Sequence, residues 1–327
     1  MIRSSLIFRA VAVACMCTLA TSVPEVHYGN FSDIHYLLWT RSNAGNEDHH
    51  ELHLGDLDDL EASPFQPSQQ TYFLIHGFSS SADAEWVLKG KSDLLALYDV
   101  NVIAVNWKKL ALAPFYIQAV EDVYKVANLT AAFIDWCVQE TVLTTSQIEI
   151  VGHSLGAHVA GVTGKKVTVG QLARITGTEP AGPLFHNQTS DKILQSTDAA
   201  FVDVIHTNGG DVTQECVGLQ DALGHVDFYV NGGVRQPGCL VIDSGCCHNR
   251  AHDLWVESIR AERPDNPTFT SWPCDTWDDF VNGRCQDCGQ GCADMGFHVN
   301  RELRGTYFLR TNGKSPFAIG DTQGLEL

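Results

Sequence analysis

The chain has 327 residues, 44% of them hydrophobic, with a formal net charge of -18 and a sequence pI of about 5.0. That is enough apolar material for one large core. With no dense basic run, the acidic balance excludes nucleic acid as a partner and opposes electrostatic docking to anionic lipid.

The first 22 residues carry Arg3 and Arg9, an apolar run over residues 10–20, and the small-x-small triplet Ala20-Thr21-Ser22. This is the pattern of a secretory signal peptide cleaved before Val23. The run is too short for a membrane span, and later apolar stretches are broken by charge, Gly or Pro, so no transmembrane helix is expected. The sequons at Asn30, Asn128 and Asn187 fit a secreted, extracellular glycoprotein, whereas Asn266 is followed by Pro267. Residues 23–70 read as a polar, irregular lead-in with one or two edge strands. Its Glu47-Asp48-His49-His50-Glu51 cluster lacks ligand spacing and reads as a solvated turn.

From residue 71 the pattern changes. Continuous apolar runs predict strands over 72–75 and 101–107, then a helix over 114–140 and a strand over 147–151. Further strands are expected over 172–176 and 201–207. Strands alternating with helices imply a parallel sheet with crossovers, and residues 23–327 are expected to form one domain.

The strand over 147–151 runs into Gly152-His153-Ser154-Leu155-Gly156, the sequence of a nucleophile elbow. The two glycines permit a sharp turn that exposes the Ser154 hydroxyl. A serine nucleophile needs a histidine to take its proton and a carboxylate to orient that histidine. In α/β-hydrolases these follow in the order serine, acid, histidine. Glu179, just beyond a predicted strand, and His248, in Cys246-Cys247-His248-Asn249-Arg250-Ala251, fit that order.

Of the eleven cysteines, Cys15 and Cys17 leave with the signal, and most of the rest crowd into the last third of the chain. This suits pairing in an oxidising compartment; zinc held by Cys285-x-x-Cys288 with Cys274 and Cys292 is the competing reading.

Taken with His76-Gly77-Phe78, Pro180-Ala181-Gly182-Pro183, Phe201-Val202-Asp203-Val204-Ile205-His206-Thr207 and Gly224-His225-Val226-Asp227-Phe228-Tyr229, these motifs resemble the pancreatic lipase family of lipases and phospholipases A1, particularly its short secreted arthropod members. The resemblance implies an α/β-hydrolase fold, with a mostly parallel central sheet and helices on both faces. It makes Ser154 the nucleophile, His248 the base and Glu179 the acid, with the backbone N–H groups of Phe78 and Leu155 as the oxyanion hole. The family carries aspartate where Glu179 stands, and Asp203 is the alternative acid. It gives His153, His158, His206 and His225 core or packing roles.

The resemblance further implies a lid bracketed by a Cys239–Cys246 bridge. The enclosed Leu240-Val241-Ile242-Asp243-Ser244-Gly245 is too short to cover a lipid-sized cleft. Cys274–Cys285 and Cys288–Cys292 bridges belong to the same set; Cys216 is expected to pair with Cys247, leaving Cys137 as a thiol. The chain ends before the family's C-terminal β-sandwich domain, so colipase is not expected as a partner. The family's calcium pattern is reduced to Asp198, with Ile193 and Gln195 where ligands are expected, so neither a metal nor a cofactor is called for. The implied activity is hydrolysis of lipid esters at a micelle or membrane interface, phospholipase A1 ahead of triacylglycerol or galactolipid lipase. A catalytically inactive lipid-binding or yolk-type protein is the alternative. Nothing in the sequence indicates an oligomeric state.

Overall fold

The computed structural model describes residues 33–320 apart from 211, 212, 214, 241, 242, 262–266, 286, 287, 289 and 290. The expected signal segment and the Asn30 sequon lie outside the described residues. The chain begins at one sheet edge with β1 (His35–Trp39) and β2 (His50–Leu52), followed by the short helix α1 (Leu57–Ala62). It then alternates through β3 (Thr71–Ile75), α2 (Glu85–Leu97), β4 (Asn101–Asn106), α3 (Tyr116–Glu140), β5 (Ile148–His153), α4 (Leu155–Lys166), β6 (Arg174–Thr178) and β7 (Phe201–His206). After these come β8 (Val226–Val230), α5 (Ser244–Ser258), β9 (Thr270–Pro273), α6 (Trp277–Val281), β10 (Ala293–Asp294) and β11 (Gly305–Leu309).

Among the described residues these strands make one eleven-stranded sheet in the order β10-β9-β11-β8-β7-β6-β5-β3-β4-β1-β2. The run from β4 to β8, with β11 beside β8, is parallel; the edge pairs β1–β2, β1–β4, β9–β11 and β9–β10 are antiparallel. Parallel strands need both faces covered, because crossovers place helices on each side. Strand periodicity divides the side chains accordingly. Phe73, Ile75, Ile103, Val105 and Ile150 join the core under α3 and α4, while Tyr72, Leu74, Val102, Ala104 and Val151 join the core under α2 and α5. The expected mostly parallel sheet with helices on both faces is therefore the architecture observed.

Helix α2 shows why pattern alone missed some elements. It interrupts its apolar face with Gly90 and a fully buried Lys91, whose Nζ donates to Ala44 O at 2.7 Å and Asn46 Oδ1 at 2.8 Å. A Cβ on Gly90 would meet the Trp255 ring at 3.1 Å, so the glycine allows α2 and α5 to pack closely. Among the other unexpected elements, β8 to β11 extend the sheet beyond β7.

Three of the four expected bridges are formed: Cys239–Cys246, Cys274–Cys285 and Cys288–Cys292, with Cα separations of 5.7, 5.6 and 4.8 Å. All three lie within the usual range for a disulfide. The pairing of Cys274 with Cys285 and of Cys288 with Cys292 replaces the zinc reading. The expected Cys216–Cys247 bridge is not among them; both residues are buried, and Cys247 Sγ accepts a hydrogen bond from Gln236 N at 3.3 Å. Cys137 is a buried thiol within α3.

Candidate active site

Ser154 stands between β5 and α4 with φ 58° and ψ -120°, a left-handed backbone that a non-glycine residue adopts only where its surroundings enforce it. The enforcing contacts are backbone ones. A Cβ on Gly152 would meet Gly156 O at 2.2 Å, and a Cβ on Gly156 would meet Ile75 O at 2.2 Å. The Gly77 turn is equally close, since a Cβ there would meet the Ser154 Cβ at 2.7 Å. Phe78, next in that turn, lines the cleft beside Ser154, and Leu155 opens helix α4. The two residues expected to supply the oxyanion-hole donors thus lie in the segments next to the serine.

His248 lies near the start of α5, just past its first turn. Asp243 caps that helix by accepting from Cys246 N at 2.9 Å, and Ser244 and Gly245 already belong to it. The second half of the segment read as a lid is therefore the helix cap and start. Val241 and Ile242 lie outside the described residues; Leu240 is 72% exposed. Ser154 and His248 line the same cleft, of about 1080 Å³. Burial, reinforced by the charge of His252 one helical turn on, lowers the His248 pKa to about 3, so the ring is neutral. His153 packs between them, its ring 4.7 Å from His248 and 4.6 Å from His252. His252 itself stacks on Trp86 at 5.3 Å.

Glu179 follows β6 at φ 52° and is fully buried. Its Oε2 accepts from Thr207 N, from Thr207 Oγ1 at 2.8 Å and from Asn208 N at 2.8 Å. Its Oε1 has no hydrogen-bond partner, and neither has His248 Nδ1. The carboxylate is thus turned toward the loop after β7 rather than bonded to the histidine. Burial pushes its pKa up to about 7, against the opposing charge of His206 and the Thr207 and Asn208 donors. The extra methylene of glutamate is housed by Gly218, where a Cβ would lie 1.6 Å from Oε1. The Gly218 segment is stitched across the site by Gly182 N to Val217 O at 2.8 Å, Gly218 N to Asn208 O at 3.1 Å and Leu219 N to Pro180 O at 2.8 Å.

The alternative acid is fully engaged elsewhere. Asp203 is held by Arg174 Nε at 2.8 Å and Nη2 at 2.9 Å, and by Thr176 Oγ1 at 3.0 Å. Arg174 continues to Phe297 O and Gly296 O, so Asp203 anchors a strut between β6, β7 and the chain near β10. His158 donates to Ala181 O at 2.8 Å and accepts from Leu194 N at 3.3 Å; His225 accepts from Val202 N at 3.0 Å. Both brace loops. Asp198 is bound by Lys165 Nζ at 2.5 Å and Gln195 N at 2.8 Å, and no group of three His, Cys, Asp or Glu converges as metal ligands among the described residues. Asn128 and Asn187 are exposed, on α3 and in the turn after Phe185.

Sequence reasoning missed the walls of the cleft. Tyr116 lies edge-on to Phe78, 5.1 Å between ring centroids, and its hydroxyl donates to Pro183 O at 3.0 Å. The lining from α2, α5 and the turn after α5 carries Lys89, Asp93, Asp253, Glu257 and Arg260. Only the i, i+4 spacing of Glu85, Lys89 and Asp93, which puts them on one helix face, signals that lining in the sequence.

A mostly parallel sheet bearing a serine on a strained strand-to-helix turn, with a histidine in the same cleft, defines an α/β-hydrolase. The Lipase family model matches residues 17–317, and the chain belongs to that family. It is 32% identical over 309 residues to pancreatic triacylglycerol lipase of Myocastor coypus, covering 86% of this chain and 65% of that one. It is 35% identical over 308 residues to inactive pancreatic lipase-related protein 1 of Homo sapiens, with coverages of 86% and 64%. To lipase member H of Rattus norvegicus it is 35% identical over 244 residues, 71% of this chain and 52% of that one. The chain thus spans between 52% and 65% of the length of these curated relatives. A solved phospholipase/carboxylesterase from Dyadobacter fermentans matches 44% of this chain and 67% of its own, with TM-score 0.33 and 14% identity, a partial likeness on which no assignment rests.

Proposed function

We propose that this chain is a secreted serine carboxylic-ester hydrolase acting on lipids. The observation that carries the reading is Ser154 at φ 58° on the β5–α4 turn, in one cleft with the neutral His248. Ser154 Oγ attacks the acyl carbonyl while His248 takes its proton, and the N–H groups of Phe78 and Leu155 stabilise the oxyanion. His248 returns the proton to the departing alcohol. Water, activated by the same histidine, then releases the fatty acid from the acyl-enzyme. Glu179 orients the ring and stabilises the imidazolium; its Oε1 and His248 Nδ1, both buried and without partners, are complementary groups for that bond.

Phospholipase A1 chemistry is favoured over triacylglycerol or galactolipid hydrolysis. The cleft is lined both by apolar groups, among them Phe78, Tyr116, Pro183 and Val217, and by charged groups of α2 and α5, which suits a substrate with an acyl chain and a polar headgroup. Secretion is supported by the signal-like first 22 residues and by three disulfides. The orientation of Glu179 away from His248 favours, as a second reading, a lipid-binding relative without turnover.

Labelling of the oxidised protein by a fluorophosphonate probe separates the two readings. Labelling in the parent and none in Ser154→Ala is the expected result. An unlabelled but folded parent overturns the hydrolase reading.

A further inference from the structure

One buried histidine has no step in the proposed chemistry yet lies against its acid. His206, the last residue of β7, faces Leu219 O with Nδ1 at 2.9 Å and Asp227 Oδ1 with Nε2 at 2.9 Å. A carbonyl oxygen only accepts, so Nδ1 carries a proton. Asp227 Oδ1 also accepts Leu223 N at 3.0 Å, and Oδ2 accepts Gly224 N at 3.0 Å. Both carboxylate oxygens thus already accept backbone N–H groups, which favours the ionised carboxylate and places the shared proton on Nε2, as an imidazolium ring would have it. Burial alone would favour its neutral form, but the hydrogen bond and charge of Asp227 and the charge of Glu179 outweigh that and raise its pKa.

The backbone on either side of His206 holds the acid. Glu179 N donates to Ile205 O at 2.8 Å, and the N–H groups of Thr207 and Asn208 point at Glu179 Oε2. Acid and imidazolium thus share a dry wall, where the attraction between opposite charges is strong. The other titratable group facing both is Tyr229, stacked on the His206 ring at 4.5 Å with its pKa raised by burial, so it is a neutral phenol at physiological pH.

We propose that His206, locked as an imidazolium by Asp227, is a positioning residue that keeps Glu179 charged and ready to orient His248. This rests on the reading of Glu179 as the acid serving Ser154.

The sign follows from the chemistry. The working enzyme needs Glu179 ionised, and its pKa is raised to about 7, so kcat/KM climbs as pH rises through that region. Removing a neighbouring positive charge makes ionisation harder and moves the climb to higher pH. The experiment is the pH profile of kcat/KM for a soluble p-nitrophenyl ester in the full chain, in His206→Gln and in Asp227→Asn. Both variants are expected to displace the ascending limb upward by about one pH unit, a roughly tenfold loss on the acid side that shrinks toward the alkaline plateau. An unmoved limb, or a loss by the same factor at every pH, overturns the proposal and leaves His206 a packing residue. Nitrogen-15 NMR of histidine-labelled parent protein tests it without mutation. At pH 8 the histidine in contact with Tyr229 should show two protonated ring nitrogens, and a neutral ring there overturns the proposal even where both variants fail to fold. Glu179→Gln distinguishes the two levels of failure. If it retains parental rate, the reading of Glu179 falls and the proposal with it; if it abolishes turnover while His206→Gln leaves the limb in place, the proposal alone falls.

Discussion

Glu179 and Asp203 are both buried carboxylates at the heart of the sheet, and what surrounds each separates their roles. Asp203 is fully matched: a bidentate guanidinium and a hydroxyl satisfy it, and Arg174 ties it to the chain near β10. Glu179 is matched on one oxygen only, and burial pushes its pKa up to about 7. Breaking a buried ion pair by removing one charge typically costs about 3–5 kcal/mol. Asp203→Asn is therefore expected to lower the thermal midpoint sharply while the folded fraction still turns over soluble ester. Glu179→Gln should do the reverse, costing about 10³–10⁴-fold in kcat, as loss of the orienting acid does in serine triads, with little change in melting. Calorimetry and ester kinetics on the same two preparations check this, and equal kcat losses in both would return Asp203 to candidacy.

At the scale of elements, the site depends on how closely backbones approach. The loop through Val217, Gly218 and Leu219 bridges the turns after β6 and β7, and Gly218 leaves room for the longer acid. Gly218→Ala would place a methyl where Glu179 Oε1 lies; the flexible end of the glutamate yields more cheaply than the backbone. The expected result is at least a tenfold fall in kcat with a small change in melting, and substantial recovery in the double variant with Glu179→Asp, whose carboxylate is drawn back by one methylene. Absence of recovery in that double variant would show that Gly218 serves the loop and not the acid.

The same closeness explains what was legible in the sequence. Gly152, Ser154 and Gly156 can be read directly because an elbow needs small residues at fixed spacing, and the continuous apolar runs of β3, β4, β5 and β7 announce buried parallel strands. The short strands β9 and β10 and the mixed face of α2 carry no such period; tertiary partners such as Trp255 define them. His248 was identified from its neighbours, but its helix was not, since Cys246 and Cys247 suggest a pinned loop and only the Asp243 cap marks a helix start. The direction in which Glu179 turns was not legible either, because its donors are backbone N–H groups of Thr207 and Asn208, whose position no side-chain identity encodes.

For the whole molecule, the distribution of exposed apolar side chains is set against a strongly acidic total. Leu112, Phe115, Ile117 and Leu184 are 53%, 63%, 69% and 51% exposed. Leu112, Phe115 and Leu184 lie outside regular elements and Ile117 in the first turn of α3; the Tyr116 hydroxyl joins the two segments through Pro183 O, and both of those residues line the cleft. Exposed apolar side chains thus adjoin cleft-lining residues on a chain whose formal charge is -18. Burial of one large apolar side chain contributes about 1.5–3 kcal/mol. Replacing Phe115 and Ile117 by Ser in a Ser154→Ala background, where bound lipid stays intact, should therefore weaken adsorption to phosphatidylcholine vesicles by at least roughly thirtyfold. Charge acts in the opposite sense and over a longer range. On vesicles rich in anionic lipid, like-charge repulsion should suppress binding at low salt. Adsorption should then rise as salt shortens the screening length from about 10 Å at 0.1 M to about 3 Å at 1 M. On zwitterionic vesicles the salt dependence should be slight. Vesicle sedimentation across that salt range checks both effects. Binding that survives the double Ser replacement, or that weakens with salt, would mean that the surface is met by the charged groups of α2 and α5 instead of these apolar side chains.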